Sequence, residues 1–326
     1  MKALVYEGVQ SLIYRDVADP DTHEGEAKVR IHAAGICGSD MHAYLGHDAR
    51  RPAPLVFGHE AAGVIEGGPM DRTRVTINPL VPCNTCPACT GGRQNLCPER
   101  QIISLPPRAG AFADYVVMPV DNLIPVPDDM SLVKASLAEP LAVSWHAARL
   151  ALEALHPSME RRAVVLGGGT IGLAASLALR AMGCEDITLI EPHPVRQSFL
   201  ADVCGEAVLP AADRSAPLFI DAVGIAETRA TASALTDPGG IIAHIGLGQD
   251  AGGLDIRRMT LQEISFIGTY TYTPTDFRET VKAMASGQLG PLDWIETRPL
   301  ADGATAFEDV LAGRVAPPKI VLEPAL

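Results

Sequence analysis

The run Gly167-Gly168-Gly169-Thr170-Ile171-Gly172 constrains this chain more than any other feature. It follows the apolar stretch 163–166 and opens a second one, 171–182, so G-x-G-x-x-G sits where a strand would turn into a helix. Each glycine has its own task in that setting: Gly167 makes the tight turn, Gly169 lets backbone approach a pyrophosphate, and Gly172 lets the helix lie close to the sheet. Free N–H groups at the helix start, those of Thr170, Ile171 and Gly172, then face a diphosphate. Glu191 closes the next β-rich stretch, where its carboxylate can accept hydrogen bonds from both hydroxyls of an adenosine ribose and would repel a 2′-phosphate. NAD is therefore expected over NADP, although His193 and Arg196 stand near enough to pair with such a phosphate.

The surroundings of the glycine run predict the rest of an α/β unit. Stretches 186–190, 219–223 and 240–245 read as strands and 227–235 and 276–285 as helices, an alternation that predicts a parallel sheet covered by helices. An Ala- and Leu-rich helix over 137–155 precedes them, with Pro140 tolerable in its first turn. The first third keeps another rhythm. Short β-branched or alternating segments at 2–6, 26–34, 61–66, 74–77 and 112–117, bounded by Gly, Pro, Asp or Asn, predict a mostly β domain. Residues 294–326 return to mixed strand and short helix and close on a strand at 319–322. With 326 residues, two domains are the natural division.

Cys83, Cys86, Cys89 and Cys97 form C-x2-C-x2-C-x7-C within 78–108, a lobe rich in Pro, Cys and Gly with almost no period. Four thiolates suit a closed tetrahedral zinc site, and bound metal would fix such a lobe in place of a hydrophobic core. Two disulfides, free thiols or an iron–sulfur cluster are the other uses of four such sulfurs. The stretch Met1 to Gly8 is charged too soon for a signal peptide, and no segment reaches the ~20 apolar residues of a membrane span. A cytoplasmic, reducing location is expected, which favours metal over disulfides. The net charge of −13, from 26 basic and 39 acidic residues without a Lys/Arg cluster, argues against nucleic acid or an anionic membrane as partner.

Three further motifs extend the pattern over essentially the whole chain: Gly35-Ile36-Cys37-Gly38-Ser39-Asp40-Met41-His42, Gly58-His59-Glu60-Ala61-Ala62-Gly63 and Ala138-Glu139-Pro140-Leu141-Ala142-Val143. With them the chain resembles the zinc-containing medium-chain dehydrogenase/reductase family, nearest its polyol (sorbitol-like) dehydrogenase branch, with threonine dehydrogenases close by. The resemblance implies an α/β protein in which 1–141 and 286–326 make a GroES-like, mostly β catalytic domain and 142–285 an inserted Rossmann coenzyme-binding domain. The active site would lie in the cleft. By motif match, Cys37 and His59 are implied as ligands of a catalytic zinc, Glu60 as a ligand or a neighbouring acid, and Glu139 as reaching zinc directly or through water. Two zinc ions per chain follow, the second in the four-cysteine lobe. Members of the family are usually dimers or tetramers, so a homodimer or homotetramer is expected.

One sulfur, one imidazole and one or two carboxylates leave a position open for water or a substrate oxygen, as a catalytic zinc requires. The expected reaction is hydride transfer between a small neutral secondary alcohol or polyol, or the matching ketone, and a nicotinamide. A threonine-type amino alcohol is the alternative substrate, and a catalytically silent nucleotide-binding protein the alternative from another class. The alcohol proton needs a path: the Ser39 hydroxyl can both accept and donate, and the resemblance places it at the reacting oxygen, with His42 further out exchanging the proton with water. At Gly268-Thr269-Tyr270-Thr271-Tyr272 the chain departs from the polyol branch, because Thr271 stands where that branch has an arginine. A polar contact to the polyol, or to the acid beside the zinc, is then missing or supplied otherwise, and sorbitol itself is not the expected substrate. Tyr44, Phe57, Phe112 and Tyr270 are read equally as pocket walls or core.

Overall fold

In a computed structural model describing residues 1–325, the change of rhythm along the sequence becomes two large hydrophobic cores with smaller clusters beside them. The glycine run follows the strand Arg162–Leu166, whose Ala163, Val164, Val165 and Leu166 are all buried, as expected for a strand covered on both faces. Across the sheet the strands run Val208–Leu209, Asp186–Ile190, Arg162–Leu166, Ala216–Asp221, Thr236–His244 and Ser265–Gly268, with every neighbouring pair parallel. Strand order reverses between Arg162–Leu166 and Ala216–Asp221, and the crevice at their carboxyl ends is where such sheets take ligands. Helices Ala138–Ala154, Thr170–Ala181 and Pro274–Ala285 pack with this sheet through one core that includes Leu141, Leu173, Ile220 and Phe277.

The β-rich part is built around the strand Glu26–Gly35, antiparallel to both Glu60–Glu66 and Tyr115–Pro119. The last strand, Lys319–Glu323, returns to pair antiparallel with Glu26–Gly35 and parallel with Ile295–Pro299. Its Ile320 and Leu322 therefore share a core with Val29, Ile31 and Phe57 from the other end of the chain. Phe112 and Tyr44 both meet the Phe307 ring edge-on, at 6.1 and 5.2 Å, and Phe57 stacks on Tyr6. Tyr44, Phe57 and Phe112 are thus core residues.

Some boundaries differ from the sequence reading for local reasons. The strand expected at 112–117 begins at Tyr115, because Phe112 accepts a hydrogen bond from Leu4 and Ala113 bridges Ala3 instead. The helix expected from 276 starts at Pro274, since the Thr273 hydroxyl caps it by accepting from the Asp276 N–H at 3.2 Å. The 78–108 lobe has a two-stranded ladder, Leu80–Val81 with Gln101–Ile102, and a single-turn helix Pro87–Thr90. Among the described residues no helix is long and apolar enough to cross a membrane.

Candidate metal and nucleotide sites

Register brings the first cluster together. Gly35 pairs with Glu60 across the sheet, so Cys37, just past the end of one strand, meets His59 and Glu60 at the start of its neighbour. One ligand atom from each of Cys37, His59 and Glu60 lies within 4.8 Å of the others, and His59 and Glu60 are buried. Sulfur, imidazole and carboxylate converging in a buried place fit a zinc ion with a coordination position left open. Glu139 is buried near them but does not join this group of three; its Oε1 accepts a hydrogen bond from the Tyr272 hydroxyl at 3.2 Å.

Three residues not singled out in the sequence support the cluster. Asp40, three residues after Cys37, is fully buried, accepts from the Cys37 N–H at 3.0 Å and lies 3.5 Å from His59 Nδ1. Burial pushes its carboxyl up, but His59 and Arg51 outweigh burial and hold it below the usual range. For His59, burial disfavours the cation, and the charges of Asp40 and Cys37 reverse that and raise it well above its ordinary value. Lys319 is the second support: the residue is only 3% exposed, rare for a lysine, and its Nζ donates to Glu60 Oε1 at 2.8 Å, to Glu60 Oε2 at 2.6 Å and to the Ile36 carbonyl at 2.8 Å. Arg51 is the third, buried over the Phe57 ring, donating to Asp40 and to the Ser39 carbonyl.

Ser39 and His42 lie on one face of the short helix Gly38–Tyr44, three residues apart, with His42 exposed and its ring 6.0 Å from that of His47. Arg51 Nη2 lies 3.5 Å from Ser39 Oγ. A guanidinium has no lone pair to offer, so the serine keeps its own hydrogen for another partner.

The four lobe cysteines form the second cluster, their sulfurs all within 4.8 Å of one another and Cys83 Sγ 3.9 Å from Cys89 Sγ. Sulfurs at the corners of a tetrahedron with Zn–S bonds of ~2.3 Å stand about 3.8 Å apart, so the spacing fits zinc. No disulfide forms among the described residues: all seven cysteines are free thiols. Backbone and hydroxyl donors from Thr85, with the Cys86 N–H, bring Cys83 down to about 6, whereas burial pushes Cys89 up to about 12.

At the glycine run, Gly167 has φ +100°, and a Cβ there would meet Val223 at 2.5 Å. A Cβ on Gly172 would collide with the Gly167 carbonyl, whereas nothing lies within 4 Å of a Cβ built on Gly169. That open face at the start of the helix Thr170–Ala181 fits an approaching diphosphate. Glu191 is buried and oriented by backbone, accepting from the Gly168 N–H at 3.1 Å and the His193 N–H at 2.8 Å. Arg196 has a buried Nε without a partner. The Thr170 hydroxyl donates to the Pro318 carbonyl at 2.7 Å, so its side chain ties the carboxyl-terminal segment to this helix and only its backbone N–H is left for a phosphate.

Comparison with known proteins agrees with this layout. A profile described as "Alcohol dehydrogenase GroES-like domain" matches residues 23–128, and one described as "Zinc-binding dehydrogenase" matches 170–286. The chain is 30% identical to a probable D-xylulose reductase A of Arthroderma otae, over 96% of this chain and 94% of that protein. It is 31% identical to the sorbitol dehydrogenase of Bacillus subtilis, over 88% and 86%. Among solved structures, a putative zinc-binding dehydrogenase from Sinorhizobium meliloti bound to NADP superposes with a TM-score of 0.88 at 25% identity, covering 99% of each chain.

Proposed function

The chain belongs to the zinc-containing medium-chain dehydrogenase family, and on that premise we propose that it is a polyol dehydrogenase, transferring hydride between a small secondary alcohol or polyol, or the matching ketone, and NAD(H). The observation that carries this reading is the convergence of Cys37, His59 and Glu60 in one buried place. Relatives named for xylulose and sorbitol support a hydroxylated carbon chain as substrate.

When bound, zinc eases loss of the substrate hydroxyl's proton and the nicotinamide takes the hydride. The chain's own residues do the rest. Cys37, His59 and Glu60 would hold the ion, with the Asp40 carboxylate 3.5 Å from the imidazole Nδ1 behind them. Ser39 accepts from Arg51 and, with its hydrogen free, passes a proton outward; His42 on the same helix face exchanges it with solvent. Gly167, Gly169, Gly172 and the N–H groups of Thr170 and Ile171 would take the diphosphate, and Glu191 the ribose, with Arg196 beside it. Cys83, Cys86, Cys89 and Cys97 would hold a second zinc. The division into 1–141 with 286–326 and 142–285 belongs to this reading, supported by the shared core of Val29, Phe57 and Ile320. Copies associate as dimers or tetramers; the open edge strand Ser265–Gly268, with Phe266 38% exposed, supplies a surface for it.

Purified protein with zinc and NAD is assayed for NADH formation on a panel of diols, polyols and threonine, with Cys37→Ser and His59→Ala beside it. Turnover on a polyol that both substitutions abolish supports the reading; full metal content with no turnover on any member of the panel overturns it. Substitution Glu191→Ala is expected to narrow the preference for NAD over NADP, and light scattering reports the association.

A further inference from the structure

Two carboxylates flank the Cys37–His59 pair, and the chain restrains them by different means. Glu60 is gripped by the Lys319 ammonium through both oxygens. Glu139 meets a neutral donor, the hydroxyl of Tyr272, at 3.2 Å. Tyr272 is 0% exposed, and its ring packs against Phe277 at 5.3 Å.

The segment carrying Tyr272 is pinned on both sides. Upstream, Asn95 Nδ2 of the four-cysteine lobe donates to the Tyr270 carbonyl at 2.8 Å, and Arg100 lies over the Tyr270 ring at 4.8 Å while donating to its hydroxyl at 3.3 Å. Downstream, the Asp276 carboxylate accepts from the Thr273 hydroxyl at 2.7 Å. It also bonds His146 Nδ1 and Arg149 Nε, each at 2.7 Å. His146 and Arg149 ride on the helix Ala138–Ala154, whose first turn carries Glu139. Helix and segment are therefore tied at two points, Tyr272 to Glu139 and Asp276 to His146 and Arg149. The tyrosine hydroxyl is a fixed donor, and Glu139 is held against it.

This bears on the departure at Thr271. The Thr271 hydroxyl is buried without a partner, so it supplies no contact to the acid. Its neighbour does. We propose that Tyr272 is a positioning residue that holds Glu139 outside the Cys37–His59–Glu60 group, so that the remaining coordination position stays free for the oxygen of a hydroxylated substrate. The proposal rests on the reading of that group as a metal site.

The substitution Tyr272→Phe removes the hydroxyl and keeps the ring against Phe277. Glu139, losing its donor in a buried place, is then expected to turn to the metal, because a buried carboxylate needs a partner. Cobalt(II)-loaded wild type and Y272F are compared by their visible d–d bands without substrate, by the rate at which a chelator strips the metal, and by kcat and KM. Y272F is expected to shift the bands, slow stripping and lower kcat about tenfold, the scale of one hydrogen bond to a charged group. All three effects should vanish when Y272F is made in an E139A background. Bands that superimpose on those of the wild type, or an equal loss of kcat with and without Glu139, would overturn the proposal. Wild-type protein that binds cobalt only at the four cysteines would remove the metal reading itself, and this inference with it.

Discussion

Substituting Lys319→Met tests whether the buried ion pair behind the metal cluster supports the β domain as the geometry requires. The side chains of Lys319 and Glu60 are 2% and 1% exposed, and the ammonium makes three hydrogen bonds, two of them to the carboxylate. Methionine fills comparable space but leaves the carboxylate and the Ile36 carbonyl without that donor. Removing one partner of such a pair costs about 3–5 kcal/mol, chiefly because the remaining charge stays buried. For a cooperative unit of roughly 150–250 residues, each kcal/mol moves Tm by about 2–4 °C, so a fall of about 6–20 °C is expected in metal-stripped protein. Calorimetry and urea unfolding at pH 7 read the loss directly. The double substitution K319M/E60Q should recover more than half of the lost stability, since no charge is then left alone. A loss below about 1 kcal/mol in K319M, or a double variant no more stable than the single, would refute the argument that the orphaned carboxylate is the cost.

Burial first, and then the charge of Glu60, raise Glu139 from 4.5 to about 7 despite the opposing effect of His59. Its folded-state value lies above the unfolded one, so the contribution to stability is present at pH 4 and is lost as pH rises through about 7. Metal-free E139Q should therefore gain on the wild type in urea midpoint between pH 5 and pH 8; a difference constant over that interval would count against it. Burial opposes the Asp276 anion, but His146, Arg149 and Thr273 together hold its carboxyl far below 3.8, so its stabilisation is present above that value and lost as pH falls through the depressed folded value. Substitution D276N is expected to cost about 3–5 kcal/mol at pH 7, with the gap narrowing below pH ~4, as followed by thermal melts across that range. Metal analysis should return two zinc ions per wild-type chain and one for Cys97→Ser, whose 78–108 lobe should also become the first site of limited proteolysis. Two ions retained in C97S would dissociate that lobe from metal binding.

The parts of the site that could be read in the sequence are those whose partners are neighbours in the chain or belong to a repeated spacing. The glycine run, with an acid closing the next strand, and the four cysteines are of this kind, because a turn, a helix start or a tetrahedron dictates the interval between residues. Asp40 was within reach of the same logic, since a carboxylate three residues after the residue that precedes a helix turns back on its N–H, as it does on Cys37. Lys319 was not. A lysine heading Lys319-Ile320-Val321-Leu322 reads as the solvent end of an apolar strand, and only the pairing of Val321 with Gly35 carries its ammonium to Glu60, 259 residues away in sequence. Tyr272 meets Glu139 across 133 residues for a similar reason, and no interval in the chain says that its hydroxyl reaches that carboxylate while Tyr270 meets Arg100. The residues that would bind the catalytic ion were legible only through the motifs the chain shares with a family, while those that restrain the acids around it depend on strand order and helix packing. If the restraints set which oxygen occupies the open position, relatives that keep Cys37 and His59 equivalents but differ at the positions of Thr271 and Tyr272 will differ in metal coordination before they differ in fold. Cobalt spectra of chains exchanged at those two positions alone would decide it: spectra that follow the exchanged pair place control of coordination in the packing, and spectra that follow the rest of the chain place it elsewhere.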